Sequence, residues 1–296
     1  MTDIVLLDGA IGQELTHRGK GEDNPLWSTA VMASDPDMVG ALHSEYFAAG
    51  ATVATTNTYA LLPDRVGKFG MAERLDDLVR VAFDQAEAAR DRHGSGRIAA
   101  ALGPLGQSYR ADLVWSVHEA VREYTPVLSQ ASRADLILCE TVASIAQAET
   151  VLSAIRELSN LPVWIAFTVN DADGTKLRSG ESLSDAMAAA RSAEAVLLNC
   201  SRPEAIADGV PHLAAAGRPY GAYANGFTAI SDAFLGARPT VNALTERDDM
   251  GPEAYARAAL GWAAEGATIL GGCCEVGPHH IKALHHALLS HGYEVI

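Results

Sequence analysis

Ala267-Thr268-Ile269-Leu270-Gly271-Gly272-Cys273-Cys274 reads as a short buried strand that stops at a glycine pair and two adjacent cysteines. Ala195-Val196-Leu197-Leu198 follows the same plan and stops at Asn199-Cys200. Short apolar runs bounded by turn residues suit parallel strands covered on both faces. Six more occur: Ile4 to Asp8, Thr52 to Thr56, Arg97 to Leu102, Leu136 to Cys139, Val163 to Thr168 and Tyr220 to Tyr223. With Ala195 to Leu198 and Thr268 to Leu270 they make eight. Segments of helical period lie between them. Val39, Leu42, Tyr46 and Ala49 share one face, as do Leu75, Leu78, Val79, Ala82 and Ala86, and again Ile281, Leu284, Leu288 and Leu289. Pro126 interrupts the segment from Ser116 to Ala134, where Thr125-Pro126 either kinks one helix or opens a second. Eight strands alternating with helices predict an α/β fold, a single (β/α)8 TIM barrel spanning residues 1–296 as one domain.

In such a barrel the chemistry gathers where the strands end. The predicted ends are Asp8-Gly9, Thr56-Asn57-Thr58-Tyr59, Gly103-Pro104, Glu140-Thr141, Phe167-Thr168, Asn199-Cys200, Tyr223-Ala224-Asn225-Gly226 and Gly271-Gly272-Cys273-Cys274. Three of the four cysteines fall there. Adjacent cysteines close a small ring that fits disulfide geometry poorly. Two neighbouring thiolates and a distant third suit a tetrahedral soft metal such as zinc, with a fourth position open. Cys139, inside an apolar run, reads as a small core residue.

Composition narrows the function. Residues of apolar type make up 48% of the chain, enough for a large core, and the net charge of −15 argues against nucleic acid or an anionic membrane as partner. The sequence holds no apolar run long enough to span a bilayer, and Met1-Thr2-Asp3-Ile4-Val5 lacks the features of a signal peptide. The expectation is a cytoplasmic protein whose reduced thiols are available as ligands, with homo-oligomerisation left open. His279-His280 and His285-His286 invite a second metal reading, but a solvated helix face accounts for them better.

The ordered set Asp8-Gly9-Ala10-Ile11-Gly12, Thr56-Asn57-Thr58-Tyr59, Glu140-Thr141, Asn199-Cys200 and Gly271-Gly272-Cys273-Cys274 resembles the homocysteine S-methyltransferase family of zinc-dependent barrels, from Asp8 to about Pro278. The resemblance implies transfer of a methyl group to L-homocysteine, with Zn2+ on Cys200, Cys273 and Cys274 and the substrate sulfur at the fourth position. It also implies that Glu140 takes the substrate ammonium, that Asp8 and Gly9 form the floor, and that Asn57, Thr58 and Asn225 line the site. Taken by position alone, Glu140 fits a helix cap as well as a substrate contact, and Asp8-Gly9 fits a turn. The family commonly has Gly-Thr where this chain has Gly12-Gln13.

A methyl donor must carry its methyl group on a positively charged atom. Trp27, Tyr59, Tyr109, Trp115 and Tyr223 lie at or beyond predicted strand ends, and converging rings hold such cations. By the resemblance Trp27 and Tyr59 are the preferred pair. S-methylmethionine, S-adenosylmethionine and betaine-type compounds all remain open, and a chain of this length implies a freely diffusing donor. No Gly-x-Gly-x-x-Gly follows the first strand, so an S-adenosylmethionine donor would bind in the barrel mouth. Two other readings stand beside this one: a zinc-dependent hydrolase or lyase, which three thiolates disfavour, and a non-catalytic zinc or redox thiol sensor, which leaves Glu140, Asn57 and Asn225 unexplained. The polar segment from Gly226 to Gly251 reads as a lid, a subunit contact or a disordered loop.

Overall fold

Each of the eight predicted runs forms a strand in the computed structural model, which describes residues 2–19, 28–231, 234–235 and 244–296. The strands are β1 (Asp3–Leu6), β2 (Val53–Thr55), β3 (Arg97–Leu102), β4 (Leu136–Val142), β5 (Val163–Phe167), β6 (Ala195–Asn199), β7 (Tyr220–Tyr223) and β8 (Ile269–Leu270). All neighbours run parallel, in the order β2-β3-β4-β5-β6-β7-β8-β1. A parallel bridge between Leu7 and Val53 closes β1 onto β2, so the sheet is a barrel.

Side-chain alternation builds two core layers. Ala195 and Leu197 of β6 point inward with Leu136, Leu138, Trp164, Ala166 and Ile269. Val196 and Leu198 point outward, with Ile137, Cys139 and Ile165, against the surrounding helices. Cys139 is therefore a buried residue of the outer layer. The same alternation carries Glu140 and Asn199, at the tops of β4 and β6, towards the barrel interior.

Helix starts follow from local chemistry. Ser116 and Glu119 form a reciprocal capping box at the helix Val117–Leu128, and Ser144 and Ser182 cap Ile145–Leu158 and Leu183–Ala189. Thr125-Pro126 neither opens a second helix nor ends this one. Pro126 sits in the last turn of Val117–Leu128, where it removes one bond, to the Arg122 carbonyl, and little helix follows for it to disrupt.

Two features differ from the sequence reading. A ninth strand, β9 (Glu294–Val295), runs parallel to β1 through Asp3 and Ile4 and covers the β1 edge below the point where the short β2 begins. Such a short run at a chain end gives too little periodicity to be read. β4 also continues past Cys139 to Val142 through a register shift, with Thr141 at φ 60°. The side chain of Asn199 braces this bulge: its Oδ1 accepts from the Thr141 N–H (3.0 Å) and its Nδ2 donates to Thr141 Oγ1 (3.2 Å). Bulges of this kind re-aim a neighbouring side chain, here Glu140.

Candidate metal centre and substrate cavity

A cavity of about 130 Å³ opens at the C-terminal ends of the strands, and Cys200, Cys273 and Cys274 all line it. Their sulfurs lie within 4.8 Å of one another. Cys200 Sγ is 2.7 Å from Cys273 Sγ and 3.8 Å from Cys274 Sγ, and all three are free thiols. A tetrahedral site with Zn–S bonds of roughly 2.3 Å has an S···S edge of about 3.8 Å, which is the Cys200–Cys274 distance, while Cys273 Sγ stands about 1 Å closer to Cys200 Sγ than that edge.

Backbone geometry brings the sulfurs together. Cys200 leaves β6 at φ 47°, a left-handed conformation uncommon for a side-chain-bearing residue and found at functional turns. The Cys273 N–H donates to Ala224 O (2.9 Å) and the Gly272 N–H to Asp8 O (3.0 Å), tying the cysteine pair to the ends of β7 and β1. Cys273 and Cys274 donate to Cys200, which holds Cys200 well below the usual thiol range and its two neighbours above theirs. The Tyr109 hydroxyl lies 2.9 Å from Cys200 Sγ. Burial raises this phenol well above its ordinary range, so it stays protonated and donates to the sulfur.

Two carboxyl groups face the same cavity. Glu140 is pushed up to about 8 by desolvation, only partly offset by the Tyr223 hydroxyl that donates to its Oε1 at 3.0 Å. Asp8 is likewise pushed up to about 8 by burial, against hydrogen bonds from the Thr55 N–H (2.7 Å) and Thr55 hydroxyl (2.9 Å). Beneath it His43 is fully buried and pushed down to about 4 by desolvation, so it brings no compensating charge. A cation placed beside either carboxyl would return it towards its ionised form.

Of the other residues singled out from the sequence, Gly9, Asn57 and Tyr59 line the cavity. A β-carbon on Gly9 would sit 2.0 Å from Val276 O and 2.9 Å from Tyr46 Oη. Gly9→Ala is therefore expected to displace the floor and lower stability by ~1–3 kcal/mol, measurable by denaturant unfolding. Thr58 and Asn225 stand behind the wall instead. Thr58 Oγ1 donates to Ala101 O (2.7 Å), and Asn225 Oδ1 accepts from the Phe227 N–H (3.2 Å). Trp27 falls outside the described residues. Tyr59 pairs through its hydroxyl with Ser108 (2.7 Å) and carries the Arg65 guanidinium 5.2 Å from its ring centre.

Some lining residues are not singled out individually in the sequence. Phe227, Phe234 and Leu244, from the described parts of the segment after β7, cover the mouth, and Phe234 packs edge-on against Tyr109 at 5.7 Å. Ser28 reaches the cavity from the helix Ser28–Ser34 and donates to Asn57 Oδ1 (2.8 Å). Only the closed barrel brings these residues to the site.

The profile of the homocysteine S-methyltransferase family matches residues 5–288. The chain belongs to the homocysteine S-methyltransferase family. Homocysteine S-methyltransferase YbgG of Bacillus subtilis is 26% identical over 95% of this chain and 93% of its own length. Homocysteine S-methyltransferase of Escherichia coli is 28% identical over 95% and 94%. Among solved structures, the metallated form of the E. coli homocysteine methyltransferase MmuM superposes with a TM-score of 0.80 at 27% identity, covering 96% of both chains. The match thus extends over nearly the whole barrel described above. Among the described residues no helix is long and apolar enough to cross a membrane.

Proposed function

We propose that this homocysteine S-methyltransferase family member transfers a methyl group from a small cationic donor to the thiolate of L-homocysteine, forming methionine, with Zn2+ held by Cys200, Cys273 and Cys274. The observation that carries the reading is the convergence of three thiols and two electrically uncompensated carboxyls on one cavity. A free thiol near its ordinary pKa is mostly protonated at neutral pH, and only the thiolate attacks carbon well. Bound zinc would supply the deprotonation of the substrate thiol.

The protein's own groups do the rest. Glu140 and Asp8 receive the substrate ammonium and so fix which end of homocysteine faces the cysteines. Gly9 keeps the floor low enough for the substrate to lie flat. Phe227 and Phe234 exclude water over the reacting atoms, and holding both substrates in line lowers the barrier by up to roughly 7–11 kcal/mol. A thiol sensor would leave Asp8 and Glu140 without a task.

Tyr59, with Trp27, is assigned to the donor. Tyr59→Ala is expected to raise the donor KM roughly 2- to 30-fold, the range of a lost cation–π contact, while leaving the homocysteine KM unchanged. An unchanged donor KM would remove the assignment. The activity itself is tested by assaying methionine formation from homocysteine with S-methylmethionine, S-adenosylmethionine and betaine in parallel. Turnover with one of them is the expected result, and none with any of the three, from zinc-loaded and reduced protein, contradicts the reading.

A further inference from the structure

Gln13 departs from the Gly-Thr of the family resemblance, and its side chain is buried in the helix Ile11–Arg18 at the cavity wall. It reaches across to the residue that follows the cysteine pair. Gln13 Oε1 accepts from the Glu275 backbone N–H at 3.0 Å, and Gln13 Nε2 donates to Glu275 Oε1. The two contacts close a ring, so neither group can turn without breaking one of them. Threonine is two bonds shorter and would not span both atoms.

Main-chain bookkeeping shows what this grip holds. The N–H of Gly272 donates to Asp8 O, that of Cys273 to Ala224 O and that of Val276 to Cys273 O, so the turn is hung from main-chain carbonyls. The Cys274 N–H turns to the Cys200 sulfur; Glu275 likewise gives its N–H to a side chain, that of Gln13. Glu275 also adopts φ 64°, the left-handed region that residues with a β-carbon avoid, and its Cβ packs so closely over Gly226 that a β-carbon there would lie 2.7 Å away. A strained residue persists where its surroundings over-determine it.

We infer that Gln13 is a positioning residue for the metal-binding turn: by gripping both the backbone and the carboxylate of Glu275 it fixes the direction in which Cys273 and Cys274 present their sulfurs. The inference rests on the zinc reading above. Partners one step removed from a metal's ligands are typically worth 10- to 100-fold in its affinity.

The test uses the full chain, reduced, as wild type, Gln13→Ala, Gln13→Glu, and the double variant Gln13→Glu with Glu275→Gln. Zinc affinity is read by competition with a chromophoric chelator, and amide hydrogen exchange at residue 275 is read on metal-free protein. Gln13→Ala is expected to weaken zinc roughly 10- to 100-fold and to speed exchange at 275. Gln13→Glu sets two carboxylates against each other and is expected to be worse. The double variant restores an acceptor for the N–H and a donor–acceptor side-chain pair, and is expected to return towards wild type. Wild-type affinity and exchange in both single variants would overturn the inference. A wild-type chain that takes up no zinc would overturn the zinc reading instead, and the exchange measurement on metal-free protein would still decide the role of Gln13 in the turn.

Discussion

Replacing any one of Cys200, Cys273 or Cys274 by serine is expected to remove zinc and methyl transfer together while leaving the fold in place. Serine is nearly isosteric with cysteine, and the three sulfurs stand at strand ends rather than between the sheet and the helices, so far-UV circular dichroism should be unchanged. The loss comes from the missing thiolate donor. A zinc site at neutral pH is worth about 10–16 kcal/mol where it is structural, so one ligand of three carries roughly 3–5 kcal/mol, on the order of 10²- to 10⁴-fold in affinity. Cys139→Ser is the matched control. That thiol is buried in the outer layer and pushed above the ordinary thiol range by burial, and its loss should leave zinc stoichiometry untouched. Retention of zinc and activity by any of the first three variants would exclude that residue as a ligand.

Glu140→Gln is expected to lower kcat/KM for homocysteine on the order of 10²- to 10³-fold, mostly through KM. Removing one partner of a buried charge pair costs about 2–5 kcal/mol, because the other charge is left uncompensated. The pH dependence identifies the group. Glu140 is pushed up to about 8 without substrate, so below that pH it is largely neutral and must lose a proton to receive an ammonium ion. Homocysteine binding should therefore strengthen as pH rises from about 6 to 8 and should release protons. Asp8, also at about 8, and the substrate thiol that loses its proton on binding contribute in the same sense, so Glu140→Gln should flatten the pH dependence without abolishing it. A variant with the wild-type KM and an unaltered pH profile would contradict the assignment.

Much of this architecture is legible in the sequence because its signals are local. Each strand of the barrel is a short apolar run, and all but the third, which runs into Gly103-Pro104, end at or beside a polar or sulfur-bearing residue, so one strand-end rule brings Asp8, Glu140, Cys200, Cys273 and Cys274 to the same rim. What escapes the reading is non-local. The bulge that aims Glu140 depends on Asn199, 58 residues away, and the grip of Gln13 on Glu275 spans 262 residues. Thr58 fails to reach the cavity for a related reason: strand-end position does not say which way a turn residue faces, and its hydroxyl is drawn inward to Ala101 O. Tyr109 and Tyr223 read in the sequence as loop rings for a cationic donor. The structure gives their hydroxyls polar partners, Cys200 and Glu140, which no pattern of apolar residues discloses.

X-ray absorption at the zinc edge, recorded on zinc-loaded protein before and after addition of L-homocysteine, puts the whole account to the test. Three sulfur neighbours at roughly 2.3 Å, rising to four when homocysteine is added, is the expected result. A sulfur count other than three in the free protein, or one that homocysteine leaves unchanged, would contradict a site in which Cys200, Cys273 and Cys274 prepare the substrate thiol for methylation.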